Sequence, residues 1–141
     1  MPLVVAEPAA AYAERPRLVI DASVVAAALF DETGAEAALS WMRGRRLCAP
    51  HLLDCEIANV ALSKMRQGFD AGAVREAMRM HARAELDRYP VDVVEVVELA
   101  SRAQLSAYDA AYLWLARTLG ASLATFDAKL GAAALRELRD G

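Results

Sequence analysis

Leu18-Val19-Ile20-Asp21-Ala22-Ser23-Val24-Val25 is the stretch whose reading decides the fold. Leu18 to Ile20 form an apolar, β-branched run of the kind buried in parallel sheets, and the run stops on a carboxylate. Ser23 stands where a helix N-cap belongs, at the head of a second apolar run. A strand that carries Asp21 to its C-terminal tip and passes at once into a helix is how open α/β sheets present reactive groups in a crevice. An Asp after a strand is also an ordinary turn residue. What Asp21 does therefore depends on the partners the rest of the chain supplies.

A chain of 141 residues has room for one well-buried core and not for two ordinary domains. Its 57% hydrophobic content, rich in Ala, Val and Leu, fits a compact helix-rich protein. The formal net charge of -3 excludes an argument from overall basicity. Any RNA must then be met by a local basic patch or through metal ions. Cys48 and Cys55 do not form a CxxC pair and read as small buried hydrophobes. No apolar run approaches the roughly 20 residues of a membrane span. Residues 1–16, with Pro2, Pro8 and Pro16, lack the basic start and long apolar stretch of a signal peptide, so a soluble cytoplasmic protein is expected. Neither GxGxxG nor GxxxxGK[ST] occurs, which removes the usual nucleotide-binding readings. Ser23, two residues after Asp21, breaks the Asp-x-Asp that a haloacid dehalogenase-type phosphatase would carry.

In order along the chain, residues 1–16 read as a flexible or loosely docked extension, with Leu3-Val4-Val5 its one apolar spot. Residues 17–141 form the ordered domain. The strand ending at Asp21 leads to helices over about 23–30 and 35–42, and then to a short strand at Leu47-Cys48-Ala49. Pro50 suits the first turn of the next helix, which runs to about Gln67 with Gly68 just past its end. On that helix Glu56, Asn59 and Ser63 fall on one stripe at i, i+3 and i+7, flanked on both sides by apolar residues, as if lining a crevice. A helix over 70–87 repeats Arg75, Arg79 and Arg83, a solvated face by its interleaved acids, with His81 read as a surface residue. Tyr89 to Val93 reads as extended and 94–104 as helix. Ser106-Ala107-Tyr108-Asp109 opens a helix ending at Gly120, in a variant of the capping box. There Asp109 shares a face with Tyr112, Leu113 and Ala116. A second β-rich run, 121–126, ends at Asp127 before a last helix from about Ala128.

Two apolar strands thus end on Asp21 and Asp127, and two helices carry Glu56 and Asp109 on faces expected to be buried. Alternating strands and helices predict an α/β fold, a small parallel sheet covered on both sides as a three-layer α/β/α sandwich. The C-terminal strand ends then face one crevice. Four ionised carboxylates cannot share a low-dielectric pocket unless some protonate or a hard divalent cation joins them. A donor set of carboxylates without His or Cys favours Mg²⁺ or Mn²⁺ over zinc, and the natural chemistry of such a site is displacement at phosphorus.

Four motifs, in order, carry a resemblance that covers the chain from Arg17 onward: Val19-Ile20-Asp21-Ala22-Ser23, Glu56-x-x-Asn59, Tyr108-Asp109-Ala110-Ala111-Tyr112-x-x-Leu115-Ala116, and Leu123-x-Thr125-x-Asp127-x-x-Leu130. The sequence resembles PIN-domain nucleases, and among them the VapC toxins of bacterial toxin–antitoxin pairs. The resemblance implies a metal-dependent endoribonuclease in which Asp21, Glu56, Asp109 and Asp127 are the catalytic, metal-holding acids. It implies supporting roles for the hydroxyls of Ser23 and Thr125 and the amide of Asn59, a homodimer, and silencing by a cognate VapB-like antitoxin. A non-toxin PIN nuclease of RNA processing is an alternative. A catalytically silent scaffold binding RNA or protein is another, although such a scaffold would be expected to have lost one of the acids. Arg43, Arg45 and Arg46, in a turn beside the second strand, are the candidate RNA contacts, which a solvated turn explains equally well. The extension before the first strand departs from members that reach the first Asp within a few residues.

Overall fold

The sheet is built outward from β2 (Arg17–Ile20), whose Leu18, Val19 and Ile20 are almost wholly buried. The structure is a computed structural model and describes residues 2–7 and 15–140. On one side of β2 lie β3 (Arg46–Pro50) and β4 (Asp87–Tyr89); on the other lie β5 (Ser122–Thr125) and the edge strand β1 (Val4–Ala6). β5, β2, β3 and β4 run parallel, while β1 pairs antiparallel to β5 with Val5 opposite Ala124.

Helices α1 (Ala22–Leu29), α2 (Ala35–Met42), α3 (Leu52–Arg66) and α4 (Ala71–Arg83) pack with one another in one layer. α5 (Val93–Ala103), α6 (Ala107–Leu119) and α7 (Ala128–Asp140) form the other, with α6 lying across β2, β3 and β5. The expected α/β/α sandwich is therefore what the chain forms. The connections β2–β3–β4 step in one direction, and the return to β5 brings the chain back to the other side of β2. The crevice beyond the C-terminal ends of β2 and β5 is the point where the strand order reverses, the usual place for a site in such sheets. Asp21 follows β2 directly, and Asp127 follows β5 after one residue, Phe126.

Several local readings are corrected. Asp21, not Ser23, is the N-cap of α1, its carboxylate accepting from Val24 N. Pro50 ends β3 rather than opening α3, which starts at Leu52. The helix expected over 70–87 stops at Arg83, and the following strand is Asp87–Tyr89, formed because its backbone pairs in parallel with β3. His81 is buried: its Nε2 lies 2.7 Å from Asp54 Oδ1, and the same carboxylate takes two hydrogen bonds from Arg88. Cys48 is buried as expected, but Cys55 is exposed. Val4–Ala6, read as part of an extension outside the core, is a strand of the sheet, with Ala6 buried; residues 8–14 of that extension lie outside the described residues.

Gly34 shows how tightly the loop between α1 and α2 fits against the end of β5. It adopts φ +93°, and a Cβ there would stand 2.7 Å from Cζ of Phe126, the residue between Thr125 and Asp127. Gly34→Ala combines left-handed strain with a clash against the Phe126 ring, a cost of about 1–3 kcal/mol. A thermal melt followed by circular dichroism should show a loss of several degrees. Gly44→Ala, at φ +73° with nothing within 4 Å of its Cβ, carries the strain without the clash and should lose less.

Candidate active site

Asp21 is buried and bound on every side by neutral donors. Its Oδ1 accepts from Val24 N at 3.2 Å and from Ser23 Oγ at 2.6 Å, while Oδ2 accepts from the hydroxyl of Thr125. Both hydroxyls also reach across to the chain leaving β5. Ser23 Oγ accepts from Phe126 N at 2.9 Å, and Thr125 Oγ1 accepts from Asp127 N at 2.9 Å. Asp127, which is exposed, caps α7 through Oδ1 to Leu130 N at 2.8 Å. The two acids that end strands thus serve as helix caps as well, and a lattice of two hydroxyls ties them together.

Glu56 projects from α3 and Asp109 from the first turn of α6, where Ser106 Oγ accepts from Asp109 N at 3.1 Å. Both are partly buried. Glu56 Oε1 accepts from Tyr112 Oη at 2.5 Å, joining α3 to α6 across 56 positions of sequence. Tyr112 is almost wholly buried, and its phenol is pushed up, by burial first and then by the bond to Glu56, so it remains a neutral donor. Sequence reasoning placed Tyr112 on the face of Asp109 without giving it a part in the site. The signal was a hydroxyl on an otherwise apolar stripe, which when buried must find an acceptor.

The electrostatics mark these acids off from the others in the protein. Burial raises the carboxyl of Asp21, with a smaller push from the charge of Asp127 and opposition from its hydrogen bonds. Glu56 is raised by burial and by the charges of Asp109 and Asp21. Asp109 is raised by burial and by Asp127 and Asp21, with Lys129 acting weakly the other way. The charge of Asp127 thus reaches Asp21 and Asp109, and those two in turn reach Glu56. Among the described residues none of them is in a salt bridge. Two other partly buried carboxylates do have basic partners: Asp54 is held low by Arg88 and His81, and Glu137 by Arg102. Hard oxygen donors with uncompensated like charge have the chemistry to hold a divalent cation such as Mg²⁺ or Mn²⁺. Among the described residues no three His, Cys, Asp or Glu side chains already form a ready-made ligand group.

Among the described residues, two groups of predicted residues make no hydrogen bond to the four acids. Asn59 is exposed, and among the described residues it makes no hydrogen bond to the four acids; Ser63 is exposed as well. α3 buries only its Leu53–Ile57–Ala61 stripe, so the apolar flank of Cys55, Ala58 and Leu62 faces outward beside them. Arg43, Arg45 and Arg46 lie at the opposite end of the parallel strands. They precede or begin β3, whose Arg46 is level with Arg17, and Asp21 stands four residues further along, roughly 13 Å at strand rise. There Arg46 pairs with Asp87 at 2.6 Å, and Arg45 stacks over Trp41 and faces Glu7.

Residues 18–135 match the PIN domain family. VapC ribonuclease Mb0985 of Mycobacterium bovis and ribonuclease VapC9 of Mycobacterium tuberculosis are each 38% identical to the chain over 115 residues, 80% of this chain and 87% of theirs. The crystal structure of PAE2754 from Pyrobaculum aerophilum superposes with a TM-score of 0.67 at 24% identity, covering 91% of this chain and 87% of that one. Mycobacterium tuberculosis VapC20, described as a sarcin-ricin loop cleaving toxin, superposes with a TM-score of 0.57 at 15% identity, covering 82% and 94%. At these identities the two structures speak for the fold.

The raised carboxyl of Asp21 predicts a pH dependence of stability. The unfolded chain, with an Asp near pKa 3.9, loses its proton before the folded protein does. Stability from this group is therefore complete below that value and is lost as pH rises through the raised folded value. Asp21→Asn removes the titration. In metal-free protein, the Tm of the variant relative to wild type should rise as pH is taken from about 4 to about 7; a difference that stays flat with pH contradicts the reading.

Proposed function

The chain belongs to the PIN-domain family, and we propose that it is a metal-dependent endoribonuclease of the VapC kind, a toxin that cleaves RNA phosphodiester bonds. The observation that carries the reading is the set of acids at the strand switch point, three of them with raised carboxyls and, among the described residues, none in a salt bridge. In this reading Asp21, Glu56 and Asp109 hold Mg²⁺, for which Mn²⁺ substitutes, and Asp127 contributes a fourth carboxylate. A bound divalent ion would supply Lewis-acid stabilisation of the charge that builds on the phosphoryl oxygens and would acidify water for attack. The protein's own part is orientation. The hydroxyls of Ser23 and Thr125 fix both oxygens of Asp21, so its carboxylate cannot swing away when the charge around it changes. The cap to α7 does the same for one oxygen of Asp127. We further propose that the protein acts in the cytoplasm as a homodimer and is silenced by a VapB-like antitoxin. Among the described residues no helix is long and apolar enough to cross a membrane.

Purified protein should cleave RNA with Mg²⁺ or Mn²⁺ and stop on addition of EDTA. Asp21→Asn, Glu56→Gln and Asp109→Asn should each lower the rate about a hundred-fold or more while melting cooperatively, the scale seen when one stabilising group is lost from an active site. Undiminished cleavage by all three variants would end the carboxylate-site reading. Expression should arrest growth, and co-expression of a small antitoxin encoded beside it should relieve the arrest. Cleavage without growth arrest would leave a nuclease that is not a toxin.

A further inference from the structure

We propose that Tyr112 is a positioning residue of the site, acting through Glu56. The inference rests on the reading of Glu56 as a metal-holding acid. Glu56 differs from the other three acids in having one more rotatable bond and in standing mid-helix, where no cap is available to it. Asp21 is fixed by a backbone amide and two hydroxyls, and Asp127 by a backbone amide. Among the described residues the only hydrogen bond to the Glu56 carboxylate comes from Tyr112 Oη, at 2.5 Å. That is the length of a charge-assisted O–H···O⁻ bond, stronger than a bond between neutral groups.

The donor itself is rigid. Tyr112 is 1% exposed and is among the largest fully buried side chains of the protein. It lies three residues after Asp109 on α6, so one helix supplies both an acid and the clamp for another acid. With the phenol on Oε1, the second oxygen of Glu56 has no hydrogen-bond partner among the described residues. The bond thus removes the rotational freedom of Glu56 and leaves half of its carboxylate free to bind. Partners of this kind around a metal ligand characteristically matter about ten- to a hundred-fold in metal affinity or activity.

Tyr112→Phe removes one oxygen, keeps the ring in its packing, and leaves a partly buried Glu56 that water can reach. The variant should fold, as a thermal melt will show, and should bind Mn²⁺ about ten- to a hundred-fold more weakly in a titration followed by electron paramagnetic resonance without RNA. Its kcat on RNA should fall while KM stays within about two-fold of wild type, as expected when positioning rather than substrate binding is lost. In the Glu56→Gln background the same change should add nothing further to the loss of Mn²⁺ affinity, since both act through one group. A purely structural tie between α3 and α6 would lower the Tm and leave Mn²⁺ affinity within about two-fold, which overturns the proposal. If Glu56→Gln itself binds Mn²⁺ as wild type does, the metal reading of Glu56 fails and this inference falls with it. A loss in Glu56→Gln but not in Tyr112→Phe refutes the role of the tyrosine alone.

Discussion

Everything in the candidate site depends on one buried carboxylate being hydrogen-bonded by neutral groups rather than by a basic side chain. Asp21 sits at the tip of the central strand, and a charge there is costly unless its oxygens are hydrogen-bonded. An Arg would have been the ordinary partner, as Arg88 is for Asp54. The chain uses the hydroxyls of Ser23 and Thr125 and the amide of Val24 instead. Because these donors are neutral, the negative charge is retained. Because Thr125 ends β5 and Ser23 also accepts from Phe126, the same bonds fasten the two strands on either side of the switch point. The placing of the reactive group and the closure of the crevice are one set of interactions.

Around Asp21 the remaining acids are held by means that also leave their charge in place. Asp21 and Asp127 cap α1 and α7, and Asp109 lies in the first turn of α6. Each thus sits at a helix end whose free amides and dipole favour negative charge. That offsets part of the mutual repulsion. It does not remove it, since burial and neighbouring acids still raise Asp21, Glu56 and Asp109. Helix termini partly stabilise anions without pairing them, and Arg pairs them outright. The use of the first device here and the second at Asp54 and Glu137 separates the crevice from the ordinary surface.

How much of this was legible in the sequence follows from the range of the interactions. Asp21 after an apolar run, the helix over 35–42 and the Ser106 cap are local patterns, and they could be read directly. The convergence of Asp21 and Asp127 followed from parallel topology alone. What failed depended on partners far along the chain. Val4–Ala6 becomes a strand only because β5 offers it an edge, and three residues carry too little pattern to announce that. His81 shares the carboxylate of Asp54 with Arg88, and neither partner is on its own helix. The stripe from Glu56 to Ser63 looked uniform on a helical wheel, yet α3 is covered on one side only, so Glu56 turns inward while Asn59 and Ser63 remain exposed. The cluster of Arg43, Arg45 and Arg46 is close in sequence to a strand of the site but enters it from the wrong end.

Tyr112 shows why a site can be found by its acids and still be incompletely described. Acids announce themselves in sequence because charge at a strand end or on an apolar face is unusual. A tyrosine on an apolar face is not unusual, since most of its surface belongs in a core. Its one polar atom is what distinguishes it, and only the α3–α6 contact reveals that this atom meets Glu56. The crevice is thus assembled from two kinds of residue. The acids are expensive to bury and visible at once. The hydroxyls of Ser23, Thr125 and Tyr112 are inexpensive by comparison, and they decide which way the acids point. A change that spares every acid and removes one hydroxyl leaves the charge intact but frees its direction, which is the more informative perturbation of a site built on repulsion.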